Sequence, residues 1–172
     1  MELSQAYMDY YFKVNAALNK GKLLFSLKNT DDLDFKPQKK YPSDAGYDCR
    51  ARLEEPLVLK PGERACIPLG FGINIPMHHT GDLRPRSGLT KDFGIMVGYG
   101  TIDTGFTGEV KATVFNFGDG TFTINPKDRI AQLVILPTVQ NPQSMSFLDL
   151  EQVDNLVELE RGENGHGSSG VK

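Results

Sequence analysis

Five short stretches of this chain hold the residue types that could do chemistry. In GTIDTGFTG, residues 100–108, Asp103 follows apolar Ile102 and precedes Gly105-Phe106. A carboxylate at a strand end beside an aromatic ring can act as a general base on water, a role worth about 10²–10⁴ in rate. The plainer alternative for a single Asp is an Asx turn. In RPRSGLT, residues 84–90, Arg86, Ser87 and Gly88 offer a guanidinium, a hydroxyl and an unhindered N–H. These suit phosphate oxygens, although the GxxxxGK[ST] spacing is absent and a lone match is usually a turn.

The other three stretches are less explicit. SDAGYD, residues 43–48, reads as a turn at Asp44 and Gly46 that Asp48 caps or solvates. KDRIAQL, residues 127–133, sets Gln132 inside a strongly apolar strand. A buried Gln needs partners, so it is either satisfied within the protein or turned toward a ligand. RGENGHGSSG, residues 161–170, follows Arg161 with glycines at 162, 165, 167 and 170. That composition describes a solvated tail, or a backbone able to wrap an anion.

Composition bounds what these stretches can serve. The chain has 172 residues, enough for one domain with its own core, and its formal charge is −3. Bulk electrostatics do not draw it to nucleic acid or anionic lipid, so any anionic ligand must meet cations gathered locally. Cys49 and Cys66 are too few for a disulfide framework and form no CxxC, which fits free thiols in a reducing compartment. There is no signal-peptide pattern and no run of 18 apolar residues, so no membrane role is expected and the location is read as cytoplasmic.

The elements that must position these residues are mostly strands. Leu3, Tyr7, Tyr10, Tyr11, Val14 and Leu18 recur at helical spacing, predicting a short amphipathic helix over about 2–19. Beyond Lys22 the helical period disappears. KLLFSLKN, EVKATVFNF and TFTINP read as strands, FGINIP as a half-buried strand and IAQLVILP as one buried on both faces. LVLKPGERACIPL carries Pro61-Gly62 between two apolar runs, a hairpin signal. Turns every eight to twelve residues without a long helix favour an all-β sandwich, jelly roll or barrel. No internal repeat is present.

Taken in order, SDAGYD, RPRSG, GTIDTGF, KDRIAQL and RGENGHGSSG resemble the five ordered motifs of the trimeric dUTP diphosphatases (dUTPases) across about residues 22–171. The resemblance implies a dUTPase-like β jelly roll, or β-clip. It implies a homotrimer with active sites shared between subunits, and hydrolysis of dUTP to dUMP and pyrophosphate with Mg²⁺. Together with the helical period at the N-terminus, it divides the chain into a helical extension at 1–21, a β domain at 22–158 and a flexible C-terminal lid at 159–172. By resemblance Asp103 activates the water that attacks the α-phosphorus, and Asp48 stands near metal-bound waters. Arg86, Ser87, Gly88 and Gln132 match phosphate contacts. Gly100, Thr101 and Ile102 fall on a hairpin that reads uracil through its backbone, Lys111 adds a main-chain contact, and Phe106 stacks on the sugar. In the lid, Arg161 meets the terminal phosphate, Gly167 and Ser168 wrap the chain, and His166 covers the base.

Two positions depart from the family pattern. Phe106 stands where tyrosine is usual, and His166 where phenylalanine usually stacks. The Phe106 ring face remains, while imidazole stacks with less area and titrates near pH 6.5 or so. A dCTP deaminase shares the fold and part of the motifs, but Asp103 where a water-activating base is needed favours the hydrolase. A third reading is a regulatory module that docks a protein partner through the N-terminal helix, which lies outside the resemblance.

Overall fold

The computed structural model describes residues 4–138 and 149–158, and in them strands predominate. The strands are β1 Lys22–Leu27, β2 Gly46–Arg50, β3 Leu57–Leu59, β4 Arg64–Pro68, β5 Phe71–Ile73 and β6 His79–Pro85. They continue as β7 Ile95–Val97, β8 Gly100–Ile102, β9 Lys111–Asn116, β10 Phe122–Ile124, β11 Arg129–Pro137 and β12 Asp149–Gln152. Two α-helices accompany them, α1 at Gln5–Asn19 and α2 at Ser87–Phe93. The architecture is the all-β class expected from the turn spacing.

The strands form sheets ordered β12-β1-β5, β10-β3, β2-β11-β6-β8 and β4-β9-β7. Among the described strands only β1 and β12 run parallel. β11 lies inside its sheet, pairing β2 on one edge and β6 on the other, which is why its sequence is apolar almost throughout. Its Leu133 packs in one core with Phe25, Phe71, Ile73, Leu83 and Val114.

Two strand expectations need correction. Pro61-Gly62 does lie in a turn, with Gly62 at φ 82° and Glu63 N–H bonded to Lys60 O at 3.0 Å. Yet the flanking strands do not pair with each other: β3 pairs β10, and β4 pairs β9. The turn passes the chain from one sheet to another instead of closing a hairpin. FGINIP is not half-buried either, because Phe71, Gly72 and Ile73 are all inside. Helix packing explains the difference, since α1 and the residues near Leu156 cover what would otherwise be the outer face of β1 and β5.

Helix α1 starts at Gln5 because Ser4 caps it, its Oγ accepting from Tyr7 N–H at 3.3 Å. Tyr10, Val14 and Ala17 form its buried stripe against Leu24, Met77, Val153 and Val157. Tyr10 is fully buried, and its hydroxyl donates to Ile75 O at 2.5 Å and accepts from Gly105 N–H at 3.2 Å. Burial pushes its pKa from 10.0 up to about 12. The folded protein therefore keeps this proton at a pH where the unfolded chain releases it. Stability from this group is intact below pH 10 and is lost as pH climbs to 12, by roughly 1 kcal/mol at pH 11 and up to about 3 in full. Urea midpoints at pH 9 and pH 11 should show this loss in the wild type, with a smaller one in Tyr10→Phe.

Candidate active site

Asp48 sits in β2 with its backbone held on both sides. Across one edge it stands opposite Gln132 of β11, and across the other it exchanges bonds with Gln38, at 2.7 and 3.2 Å. Arg84 of β6 stands opposite Gln132 from the other side, so the three polar residues lie abreast on one sheet face. Two residues on, where β6 ends, Arg86 N-caps α2 and reaches back to Asp48. Its Nε donates to Asp48 Oδ1 at 2.8 Å, and its Nη1 to Arg129 O at 3.0 Å. Arg129 Nη1 reaches Asp48 Oδ2 at 3.2 Å. Asp48 thus neither caps nor merely solvates a turn; it organises two guanidiniums.

Arg86, Arg129, Arg50 and Lys127 line one hollow of about 350 Å³. Arg50 Nη1 donates to Lys127 O at 2.9 Å, and Lys127 Nζ is itself paired with Asp32 and Asp34. Ser87 and Gly88 open α2 directly after Arg86, so RPRSGLT is a strand end and helix start, not a plain turn. A side chain at Gly88 would meet nothing within 4 Å, which leaves open space over its backbone.

Gln132 resolves toward structure. Its Nε2 donates to Pro85 O at 2.8 Å, tying β11 to the residue before Arg86. Its Oε1 lies over Gly46, where an added Cβ would collide with it. Gly46→Ala therefore displaces the amide and strains its bond to Pro85 O. A loss of about 1–3 kcal/mol is expected, the range for overpacking, read as a lower urea midpoint at unchanged slope.

A second pocket, of about 400 Å³, gathers most of the GTIDTGF residues. Gly100, Thr101, Ile102, Asp103, Phe106 and Lys111 all line it, together with Leu83, Tyr99, Val110 and Phe115. It opens where the chain leaves the β9 sheet at β7 and joins β6 as β8. β8 is the last described strand of its sheet, so its outer backbone edge faces away from β6 with its N–H and C=O groups available. Ile102, Val110 and Phe106 supply a buried apolar wall. The chain then turns: Phe106 N–H bonds to Asp103 O at 3.2 Å, with Gly105 at φ 86° in the left-handed position such a turn needs. Beyond it, Glu109 fixes the loop by a two-pronged pair with Arg52 at 2.7 and 2.8 Å.

The two pockets share no lining residue. The structure thus brings six expected residues together in one place and Arg86 with Asp48 in another. Arg161, His166, Gly167 and Ser168 lie outside the described residues. Leu83, Tyr99 and Phe115 carry no sequence signal of their own, because a wall built from distant strands leaves no local pattern. Arg129 has a weak one, as the charge three residues before Gln132. Among the described residues no helix is long and apolar enough to cross a membrane, and no cluster of three His, Cys, Asp or Glu could hold a metal ion.

Fold and site together define an all-β protein with an apolar-walled pocket at a strand edge and a separate hollow lined by Arg50, Arg86, Lys127 and Arg129. The dUTPase family model matches residues 35–170. The deoxyuridine 5'-triphosphate nucleotidohydrolase of Chlamydia pneumoniae is 44% identical over 137 residues, covering 78% of this chain and 90% of that protein. The one from Bdellovibrio bacteriovorus is 43% identical over 136 residues, covering 78% and 87%. Among solved structures, the Staphylococcus bacteriophage 80alpha dUTPase with dUpNHpp superposes with a TM-score of 0.59 at 30% identity, covering 86% of this chain and 98% of that one. The chain belongs to the dUTPase family.

Proposed function

We propose that this chain hydrolyses dUTP to dUMP and pyrophosphate. The observation that carries the reading is the pocket that unites Asp103 with Gly100, Thr101, Ile102, Phe106 and Lys111. The open edge of β8 suits a uracil, whose carbonyls and N–H form a flat row of acceptors and a donor. Reading a base by main chain at close quarters leaves little room for a 5-methyl group, and a ring at Phe106 leaves little for a 2′-hydroxyl. The Asp103 carboxylate takes a proton from water as its oxygen bonds to the α-phosphorus, and the bond to the β-phosphate oxygen breaks. Arg86, with Ser87 and Gly88, neutralises and aligns the leaving phosphates, which is most of what phosphoryl transfer asks of a protein, while Gln132 supports them by holding Pro85 O.

Described donors do not make a protein cage for a metal, and Asp48 already faces two guanidiniums. This chemistry fits Mg²⁺ held mainly by triphosphate oxygens and water, with Asp48 in contact through water. When bound, the ion neutralises charge on the triphosphate. The dUTPase of phage phi11, 26% identical, has a solved structure described as coordinating a structural Mg(II) ion.

The separation of the two pockets supports a homotrimer in which one copy's Asp103 pocket is completed by another copy's Arg86 seat. On the same reading, Arg161, His166, Gly167 and Ser168 have nucleotide-binding roles, with His166 for the base. Both cysteines are free thiols, Cys49 buried and Cys66 exposed, which suits a reducing cytoplasm.

Pyrophosphate release from dUTP, dCTP, dTTP and UTP with Mg²⁺ tests the reading, run on the full chain and on residues 1–158. A strong preference for dUTP, weakened in the shortened chain, is expected. Equal rates on all four nucleotides, or ammonia release from dCTP, would overturn it.

A further inference from the structure

Helix α1 lies outside the family match, which begins at residue 35, yet it touches the turn that carries Asp103. We propose that Tyr10 is a positioning residue for hydrolysis: its hydroxyl pins the Asp103 turn to the segment that follows β5. The inference rests on the reading of Asp103 as the base.

Three contacts converge here. The Tyr10 hydroxyl receives Gly105 N–H at 3.2 Å and gives its own proton to Ile75 O at 2.5 Å. Beside them, Thr104 Oγ1 donates to Pro76 O at 3.1 Å. The turn at 103–106 is thereby fastened to residues 75–76 twice, once directly and once through α1. A phenol is suited to this place because it donates and accepts at the same oxygen, and burial keeps it protonated. Its ring is fully buried, so α1 cannot shift without moving the hydroxyl.

The same clamp extends toward the C-terminal segment. Asn74, fully buried beside Ile75, exchanges two bonds with Val157: its Nδ2 donates to Val157 O at 3.0 Å, and Val157 N–H donates to its Oδ1 at 3.1 Å. Val157 also packs against the Tyr10 cluster. α1 therefore backs a short frame that holds the Asp103 turn and the chain just before residue 159. With the phenol removed, Gly105 N–H and Ile75 O lose their shared partner in a site closed to solvent, and the turn is left with the Thr104 anchor. A displacement of about 1 Å in a reacting group is enough to cost up to 10²-fold in rate.

The experiment is steady-state dUTP hydrolysis by wild type, Tyr10→Phe and Asp103→Asn, as full chains, with circular dichroism and exchange of the Gly105 amide. For Tyr10→Phe a roughly 10-fold fall in kcat is expected with KM within about twofold, persisting at 10 °C in protein whose circular dichroism matches the wild type. Gly105 amide exchange should quicken while that of Val114, in the core of β9, does not. A folded Tyr10→Phe with wild-type kcat overturns the role of Tyr10. If Tyr10→Phe does not fold, 3-fluorotyrosine at position 10, a weaker acceptor of the same shape, takes its place: reduced kcat supports the role and unchanged kcat overturns it. An inactive Asp103→Asn beside a fully active Tyr10 variant removes only this inference, whereas an active Asp103→Asn removes the reading of the base itself.

Discussion

Asp103→Asn should lower kcat for dUTP by about 10²–10⁴-fold, the contribution expected of a general base, while KM changes little. The amide is the same size as the carboxylate but has no lone pair basic enough to take a proton from water. The turn itself is closed by main chain, from Phe106 N–H to Asp103 O, and by Tyr10 on Gly105. Both bonds are made by main chain and Tyr10, and asparagine matches aspartate in size, so the turn should keep its shape. A thermal midpoint close to wild type beside a collapsed kcat is the expected pair of results. An unchanged kcat would remove Asp103 from the mechanism.

Arg86→Lys should cost about 10–100-fold in kcat/KM even though the charge is retained. The guanidinium performs two tasks at once, donating through Nε to Asp48 and through Nη1 to Arg129 O. An ammonium has no rigid fork and cannot hold both while presenting N–H groups to a phosphate. Charge-assisted hydrogen bonds contribute about 1.5–3 kcal/mol each, and tenfold corresponds to about 1.4 kcal/mol, so one lost contact accounts for the effect. The loss should appear largely in KM for dUTP and in weaker product inhibition by pyrophosphate. Equal kcat/KM in the two proteins would mean that Arg86 serves only to hold β2 against β11.

The chemistry-bearing residues are legible in the sequence because each announces itself locally. An Asp between an apolar residue and a Gly-aromatic pair, or an Arg-Ser-Gly at a strand end, is visible within a few positions. The strands are legible too, since their side chains alternate every second residue. Reading fails where the answer depends on a distant partner. Pro61-Gly62 makes a turn in either arrangement, and only the rivals β9 and β10 decide that β3 and β4 separate. Gln132 has two equally reasonable fates along the chain, and Pro85 O and the bare backbone of Gly46 choose between them. Tyr10 reads as one apolar position in an amphipathic stripe; that its hydroxyl meets Gly105, 95 residues away, has no signature near either residue.

By itself, then, the order of residues determined the kinds of element, the all-β class and the likeness to the dUTPase family. Periodicity, turn chemistry and side-chain type act over a few residues, so they survive in a linear reading. Tertiary structure alone decided that Asp48 binds two arginines, that the β8 edge opens into a pocket, and that the cationic seat stands apart from it. Those outcomes follow from which strands pair and which apolar faces bury one another, and that competition is settled between segments far apart in the chain.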